Sequence, residues 1–461
     1  MLRNCNGNIQ NNLKKFPFHK KISIINFIGK DAHRRFAAED ECFISAAAHY
    51  RILVLGGGNG GCAVSHRFRN LVPKGQLAVV EPADQHYYQP GFTLIGGGLK
   101  KLSQCVKPMA SVLHKDNVWL KKSVAELRPK NNSVVLDDGS EIKYDLLIAA
   151  LGLDIRFDMV EGLSEALHLP GICSIYRHDL AEKTYRELQT FSQGNAVFTL
   201  PNTPIKCSGA GQKICYLADE IFKKRGVREN IKLFYNTYLP DIFDVPKYAK
   251  TLNEIAKQKH IDVSLRRSLK SIDPIKKEAV FDILTEQSKP SGKTVVQRYD
   301  LLHVAPPCSP VKPIRECTEL LNASGWLAAD AATLQSTKFD NVFGIGDCLG
   351  TPNKKTSAAV FSQLRALDKN IPAFLSGKKL EGQYNGYSSC PLIVSFNRVV
   401  LAEFTPKGPL ETLPYDQGRP LYTAYLLKRY VLPTMYWTIG INGHWLGPAT
   451  VRKILHLRRS S

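Results

Sequence analysis

The chain has 461 residues, 44% of them hydrophobic and 22% charged; this ordinary globular composition excludes a disordered or collagen-like chain and suits two or three domains. No stretch of about 18 apolar residues occurs, so no spanning transmembrane helix is expected. Against 41 acidic residues stand 62 Lys and Arg, a net charge of +21, which favours a polyanionic neighbour, nucleic acid or an anionic membrane, without choosing between them.

Residues 1–30 carry Arg3, Lys14, Lys15, Lys20, Lys21 and Lys30 and no Asp or Glu. A basic, acid-free, mildly amphipathic start reads as a mitochondrial presequence, with a disordered basic tail as the plain alternative. Residues 1–48 are therefore expected outside the fold, which begins near His49. Arg51–Leu55 then predicts a short buried strand, running at once into Gly56-Gly-Gly-Asn-Gly-Gly61 and a helix to about Asn70. Gly56, Gly58 and Gly61 satisfy GxGxxG: a tight turn, close backbone approach to a pyrophosphate, and close helix–strand contact. The helix N-terminus supplies free N–H groups for the phosphates. A second strand, Gln76–Glu81, ends in an acid twenty residues after Gly61, which places Glu81 to accept hydrogen bonds from a ribose. The motif alone leaves FAD and NAD open.

Further along, Tyr144–Gly152 is a buried strand running into glycine, and Asn341–Asp347 is another ending in Gly-Asp. Between them, Asn195–Leu200 predicts the first strand of an inserted unit, but Pro201-Asn-Thr-Pro-Ile-Lys-Cys207-Ser-Gly-Ala-Gly211 follows it rather than GxGxxG. Two prolines remove N–H donors where a pyrophosphate would need them. The next strand, Ile231–Tyr235, runs into Asn236 instead of an acid. Binding of NAD(P)H looks lost from the insert. Among eleven cysteines there is no CxxC pair, so zinc ribbons and thioredoxin-type sites lose support and no metal site is expected. After Asp416 no acid remains, while Arg419, Lys428, Arg429, Arg452, Lys453, Arg458 and Arg459 are interspersed with Tyr, Leu and Trp. This predicts two amphipathic helices in the interface of an anionic membrane, broken by Pro433 and Gly440. The competing reading is the basic face of a packed C-terminal unit. Nucleic acid is not expected, since no recognised binding fold accompanies the charge.

The three strand fingerprints in this order resemble the two-dinucleotide-binding-domain flavoproteins of the glutathione-reductase-like class. That resemblance implies an α/β fold of two Rossmann-like domains. The FAD domain is discontinuous (49–160 and 311–375), the insert (161–310) is degenerate for NAD, and 376–461 forms a C-terminal region with membrane-binding helices. Pro201–Cys207 and Gly386-Tyr-Ser-Ser-Cys390-Pro391 resemble, more closely, the sulfide:quinone oxidoreductases of the mitochondrial type, over about residues 50 to 458. The likeness implies a Cys207–Cys390 disulfide beside FAD, opened by hydrogen sulfide, with Cys390 holding the persulfide and Cys207 contacting the flavin. It also implies a sulfur acceptor (glutathione or sulfite), ubiquinone as electron acceptor, and a monotopic place on the mitochondrial inner membrane.

By motif it carries cofactor contacts onto Asn59, Gly60, Glu81, Gln89, Val124, Lys213, Asp347, Lys355, Thr356 and Ser357. Lys206 and Lys213, near Cys207 in sequence, favour its thiolate; Lys213 also reads as an ordinary solvated lysine. Cys173 and Cys348 match no redox motif, and isolated cysteines such as Cys62 or Cys105 read as small buried hydrophobes. The competing enzyme is a type 2 NADH:quinone dehydrogenase, which needs a second glycine-rich turn and has no use for the two cysteines. A competitor of another class is a non-enzymatic flavin-containing protein that binds membrane or nucleic acid.

Overall fold

A strand of four fully buried residues, Ile52–Leu55, centres the first sheet of the computed structural model, which describes residues 48–457. The expected presequence therefore lies, but for its last residue, outside the described residues, as do Arg458 and Arg459. In chain order the first elements are β1 (Ala48–Leu55), α1 (Asn59–Phe68), β2 (Leu77–Val80), β3 (Val118–Leu120), β4 (Val124–Arg128), β5 (Ser133–Leu136) and β6 (Glu141–Ala149). β1 lies between β2 and β6, parallel to both, with Val54 opposite Val79 and Ile148. Val/Ile/Leu runs without alternation suit strands buried on both faces.

The chain then leaves this sheet and builds another. Strands β7 (Ile172–Cys173), β8 (Gly194–Leu200), β9 (Ile231–Thr237), β10 (Ile261–Ser264) and, after an antiparallel excursion β11 (Arg267–Asp273), β12 (Glu278–Leu284) and β13 (Pro290–Arg298), β14 (Leu301–His303) form an all-parallel sheet. Its order is β7-β14-β8-β9-β10. Helices α2 (His178–Thr190), α3 (Ala210–Lys224) and α4 (Pro246–Gln258) connect these strands. β15 (Val342–Gly344) then returns to the first sheet, pairing with β6 at Leu147–Ala149. After it come the 19-residue α5 (Ser357–Leu375) and the hairpin β16 (Ser388–Ser395) and β17 (Arg398–Thr405). Two sheets, the first parallel at its centre with an antiparallel edge of β4 and β5 and interrupted by the all-parallel second, make the chain a mixed α/β fold.

The C-terminal region departs from expectation. Helical turns run without a break through Tyr422–Leu426, Leu427–Val431, Leu432–Met435 and Tyr436–Gly440, the second and fourth with π spacing. Pro433 does not break this run. The wider π turn before it makes room for a ring and a missing N–H. The break comes at 441–448, where Gly443 and Gly447 take φ of +72° and +76°. A Cβ on Gly443 would meet the Ala63 carbonyl oxygen at 2.7 Å, so this loop crosses tight against α1. A last helix, α6 (Ala449–Leu457), follows. The run is anchored by Tyr436, buried, whose Oη lies 2.7 Å from His86 Nε2; His86 Nδ1 in turn lies 3.0 Å from the Gly57 carbonyl oxygen. Burial lowers the His86 pKa to about 4, so it is neutral at physiological pH.

Among the described residues no helix is long and apolar enough to cross a membrane.

Candidate active site

The glycine turn after β1 has the geometry its sequence demands. Gly56 sits at φ +97°, where a Cβ would meet the Ala150 carbonyl oxygen at 2.6 Å. A Cβ on Gly61 would fall 1.7 Å from the Gly56 carbonyl oxygen, so α1 can approach β1 only through glycine. Glu81, just past β2, accepts from the Gly57 N–H at 2.6 Å and the Ala83 N–H at 2.7 Å. Its carboxylate is thereby fixed at the turn.

From this turn a cavity of about 770 Å³ extends to the C-terminal helices. Gly56, Gly58, Asn59, Gly60, Glu81, Gln89, Lys213, Asp347, Lys355, Thr356, Ser357, Cys207 and Cys390 all line it. Gly61 and Val124 do not. Gly61 serves the helix–strand contact instead, and Val124 is tied into the β4–β5 ladder opposite Leu136. The buried Asn59 Oδ1 has no partner, while its Nδ2 donates to Ser357 Oγ at 2.8 Å. An extended cleft, a phosphate-type turn, a carboxylate at the end of the second strand and an unpartnered buried acceptor fit a dinucleotide cofactor.

α5 starts at the cavity. Thr356 caps it, its Oγ1 accepting from the Ala359 N–H at 3.1 Å, so the positive end of a five-turn helix faces the cleft. The Lys355 ammonium is committed elsewhere: it donates to the Asp347 and Leu349 carbonyl oxygens at 2.7 and 2.8 Å and lies 3.8 Å over the Trp326 ring. Lys206 donates to Gln89 Oε1 at 2.7 Å. Burial raises the pKa of Asp347, and Lys355 and Lys206 oppose the rise.

The two cysteines meet where a pyridine nucleotide's phosphates would sit. In a Rossmann unit that place is the N-terminus of the helix after the first strand, here α3. A Cβ on Gly209, which precedes α3, would meet Leu392 at 2.7 Å and Cys390 Sγ at 2.8 Å. The second acceptor of a nucleotide is missing as well, because Asn236 at the end of β9 donates to Gln297 at 2.9 Å and receives Arg267 at 3.5 Å. Cys207 reaches this place in the left-handed region, at φ +51°. Such a conformation costs a non-glycine residue about 1–2 kcal/mol. Two bonds hold it there: the Cys207 N–H donates to the Lys355 carbonyl oxygen at 2.9 Å, and Tyr176 Oη donates to the Cys207 carbonyl oxygen at 3.1 Å.

Lys213, one turn into α3 and buried, donates to Cys207 Sγ at 3.0 Å and to Cys390 Sγ at 3.7 Å. Burial opposes its charge, yet the two sulfurs hold its pKa above the ordinary lysine value. The sulfurs divide one proton unequally. A hydrogen bond from Cys390 lowers the Cys207 pKa well below the usual thiol value against burial, with Lys213 assisting. The same bond, with burial, raises Cys390. Of the two sulfurs, Cys207 is the one whose thiolate is favoured and Cys390 the one whose thiol is. Cys62, Cys105, Cys173 and Cys348 are buried and pushed up by desolvation, as inert packing cysteines are.

Tyr176 and Lys428 escaped the sequence reading of the site. The charge pattern of the sequence places Lys428 on a membrane face, but it is buried at the cavity wall. Arg452 also turns inward, to the Glu411 carbonyl oxygen at 3.2 Å and Thr412 Oγ1 at 3.1 Å. Arg419 and Lys453 stay exposed, and beside them an aromatic and aliphatic stripe of Tyr422, Leu426, Tyr430 and Val431, with Ile454 on α6, faces outward.

No family model matches the chain. It is 43% identical over 414 residues to the mouse (Mus musculus) protein named sulfide:quinone oxidoreductase, mitochondrial, covering 90% of this chain and 91% of that one. A protein of the same name in Dictyostelium discoideum is 38% identical, over 87% of this chain and 88% of that one. The solved sulfide:quinone oxidoreductase of Aquifex aeolicus superposes with a TM-score of 0.74 at 19% identity, over 89% of this chain and 95% of that one, a likeness of fold.

Proposed function

Because the chain belongs to the sulfide:quinone oxidoreductases of the mitochondrial type, we propose that Cys207 and Cys390 form the redox disulfide of its reaction. The enzyme is a flavoprotein that oxidises sulfide and reduces a quinone. One observation carries the assignment of the pair: both sulfurs lie on Lys213, at the N-terminus of α3, in the wall of the dinucleotide cleft.

In this reading hydrosulfide attacks Cys390 Sγ, and Cys207 leaves as the thiolate that Lys213 and the α3 terminus stabilise. Cys207, the sulfur of lower pKa, is the better leaving group; Cys390 keeps the sulfane sulfur. Bound FAD supplies a two-electron acceptor for the pair and a donor to ubiquinone. Gly56, Gly58, Asn59, Gly60 and Glu81 would hold its adenosine and pyrophosphate end, Gln89 and Asp347 its middle, and Thr356, Ser357 and the backbone of Lys355 its pyrimidine end. The sulfur acceptor, glutathione or sulfite, brings negative charge, and the lysines near Cys390 are Lys213, Lys428 and Lys354, the last paired with Asp244.

Residues 49–160 and 311–375 then make one flavin domain, 161–310 the inserted domain, and 376–461 the C-terminal region. Support for a monotopic place on the mitochondrial inner membrane comes from the acid-free start, the names its relatives carry and the outward apolar stripe of the C-terminal helices. Titrating the purified protein with micromolar sulfide tests the assignment. Bleaching of the flavin by sulfide but not by NADH is expected; the reverse pattern would mark an NADH dehydrogenase, and no bleaching by either a binding protein.

Cofactor retention is tested apart from turnover. With no attachment motif evident, acid precipitation should release a yellow supernatant, and flavin left in the pellet would contradict non-covalent binding. Glu81→Gln should weaken retention by about 1–3 kcal/mol, the scale of a hydrogen bond to a charged group, measured as flavin loss on dialysis.

A further inference from the structure

One cation in the sulfur chamber has no task in the chemistry above. Lys428 lies in the π-spaced segment Leu427–Val431 and is only 5% exposed, while Leu426, Tyr430 and Val431 of the same run face outward. It lines the cavity together with Cys207, Cys390 and Lys213. Lys213 donates to both sulfurs and Lys354 is paired with Asp244. Lys428 alone of the three has neither a hydrogen-bond acceptor nor a carboxylate partner among the described residues. Burying an unpaired ammonium costs several kcal/mol, and an inward position on this run is otherwise filled by apolar or aromatic side chains such as Ala424, Tyr425 and Tyr436. Packing does not ask for a lysine there.

The groups that act on it electrostatically come from three elements: Lys213 from α3, Cys207 from the loop before α3, and Cys390 from β16. No acid is among them. Burial, then Lys213, lower its pKa to about 7, while the two sulfurs pull it back up. Its charge near neutrality therefore depends on the charge of the sulfurs.

We propose that Lys428 is a positioning residue for the sulfur chemistry, its ammonium holding the anionic sulfur that appears when sulfide opens the Cys207–Cys390 bond. This rests on the reading of those two cysteines as the redox pair. In that step the hydrosulfide sulfur bonds to Cys390 Sγ as the Sγ–Sγ bond breaks, and the electron pair of the broken bond leaves on Cys207 as thiolate. The hydrosulfide proton stays on the outer persulfide sulfur, and an aqueous proton recharges Lys428. While the disulfide is intact, no anion is present and repulsion from Lys213 favours the neutral amine. The lysine gains its charge where and when the thiolate does.

The test reads Cys207 directly. In holoenzyme carrying Cys390→Ser, the pH dependence of Cys207 alkylation by iodoacetamide, followed by mass spectrometry, gives its apparent pKa without sulfide, whose own ionisation would obscure the profile. The long-wavelength thiolate–flavin absorbance should titrate in parallel. Adding Lys428→Met should move both profiles upward by about one pH unit or more, the scale of a removed opposite charge at close range, and Lys428→Arg should restore them. Should methionine unseat the helix, seen as flavin loss, Lys428→Gln reads the same shift. Profiles unmoved by Met or Gln, with flavin retained, would overturn the role of Lys428. Absence of the long-wavelength band at every pH in Cys390→Ser, with Lys428 intact, would instead strike the reading of the cysteine pair.

Discussion

Cys207→Ser should keep its flavin and lose bleaching by sulfide, on the order of a thousandfold or more. The serine hydroxyl can take the place of the thiol against Lys213, so the fold has no reason to yield. It cannot carry an electron pair from a persulfide partner. Cys390→Ser should be as inactive but differ in colour. It leaves the Cys207 sulfur as a thiolate, since Lys213 donates to it at 3.0 Å, and a thiolate beside oxidised flavin absorbs at long wavelength without added sulfide. Brief sulfide exposure of the unmodified enzyme should add sulfur mass on Cys390, or between the two cysteines. Because the pair acts as one unit, the double variant should be hardly slower than either single one. Near-normal sulfide-dependent quinone reduction in both single variants would remove the pair from the mechanism.

The second large effect concerns the outward stripe. Cutting the chain after 419 would take away Tyr425, Tyr436 and Ile441 from the interior and expose core rather than test a surface. Replacing Tyr422, Leu426, Tyr430 and Val431 together by serine leaves those buried residues in place. Full burial of such side chains contributes about 1.5–3 kcal/mol each, and each of the four is already partly covered by protein. A summed loss of about 3 kcal/mol, roughly a hundredfold in partitioning onto anionic liposomes, is the expected result. Sulfide should still bleach the flavin of this variant, since the cysteine chamber is untouched, while reduction of a long-tail quinone in vesicles should fall. Liposome binding unchanged by the four substitutions would place the membrane contact elsewhere.

Several features of the molecule are decided by contacts between near neighbours, and these are open to the sequence. A turn at φ +97° with a carbonyl oxygen 2.6 Å from any Cβ accepts only glycine, so Gly56 and Gly61 announce the phosphate turn, and Glu81 follows at the end of the adjacent strand. The insert betrays the absence of such a turn by Pro201 and Pro204. The motifs around Cys207 and Cys390 pointed to a family that the similarity of the whole chain bears out.

What the tertiary structure alone decides is how distant pieces share space. That Cys390 fills the vacated phosphate place at Gly209 depends on β16 arriving 183 residues after Cys207, a placement no local propensity encodes. Val124 has the right strand but is turned into a β ladder. Lys428 shows the sharpest divergence. Charge and spacing put it on a membrane-facing surface, yet it lies inside the first of two π turns in the run from Tyr422 to Gly440. Each adds a residue to a turn and rotates everything beyond it away from the 3.6-residue period on which a face is read. Which side of that helix faces the cysteines and which faces outward is set by the walls it packs against, His86, Tyr88 and Phe361 among them, and those walls are assembled only when the two sheets have formed.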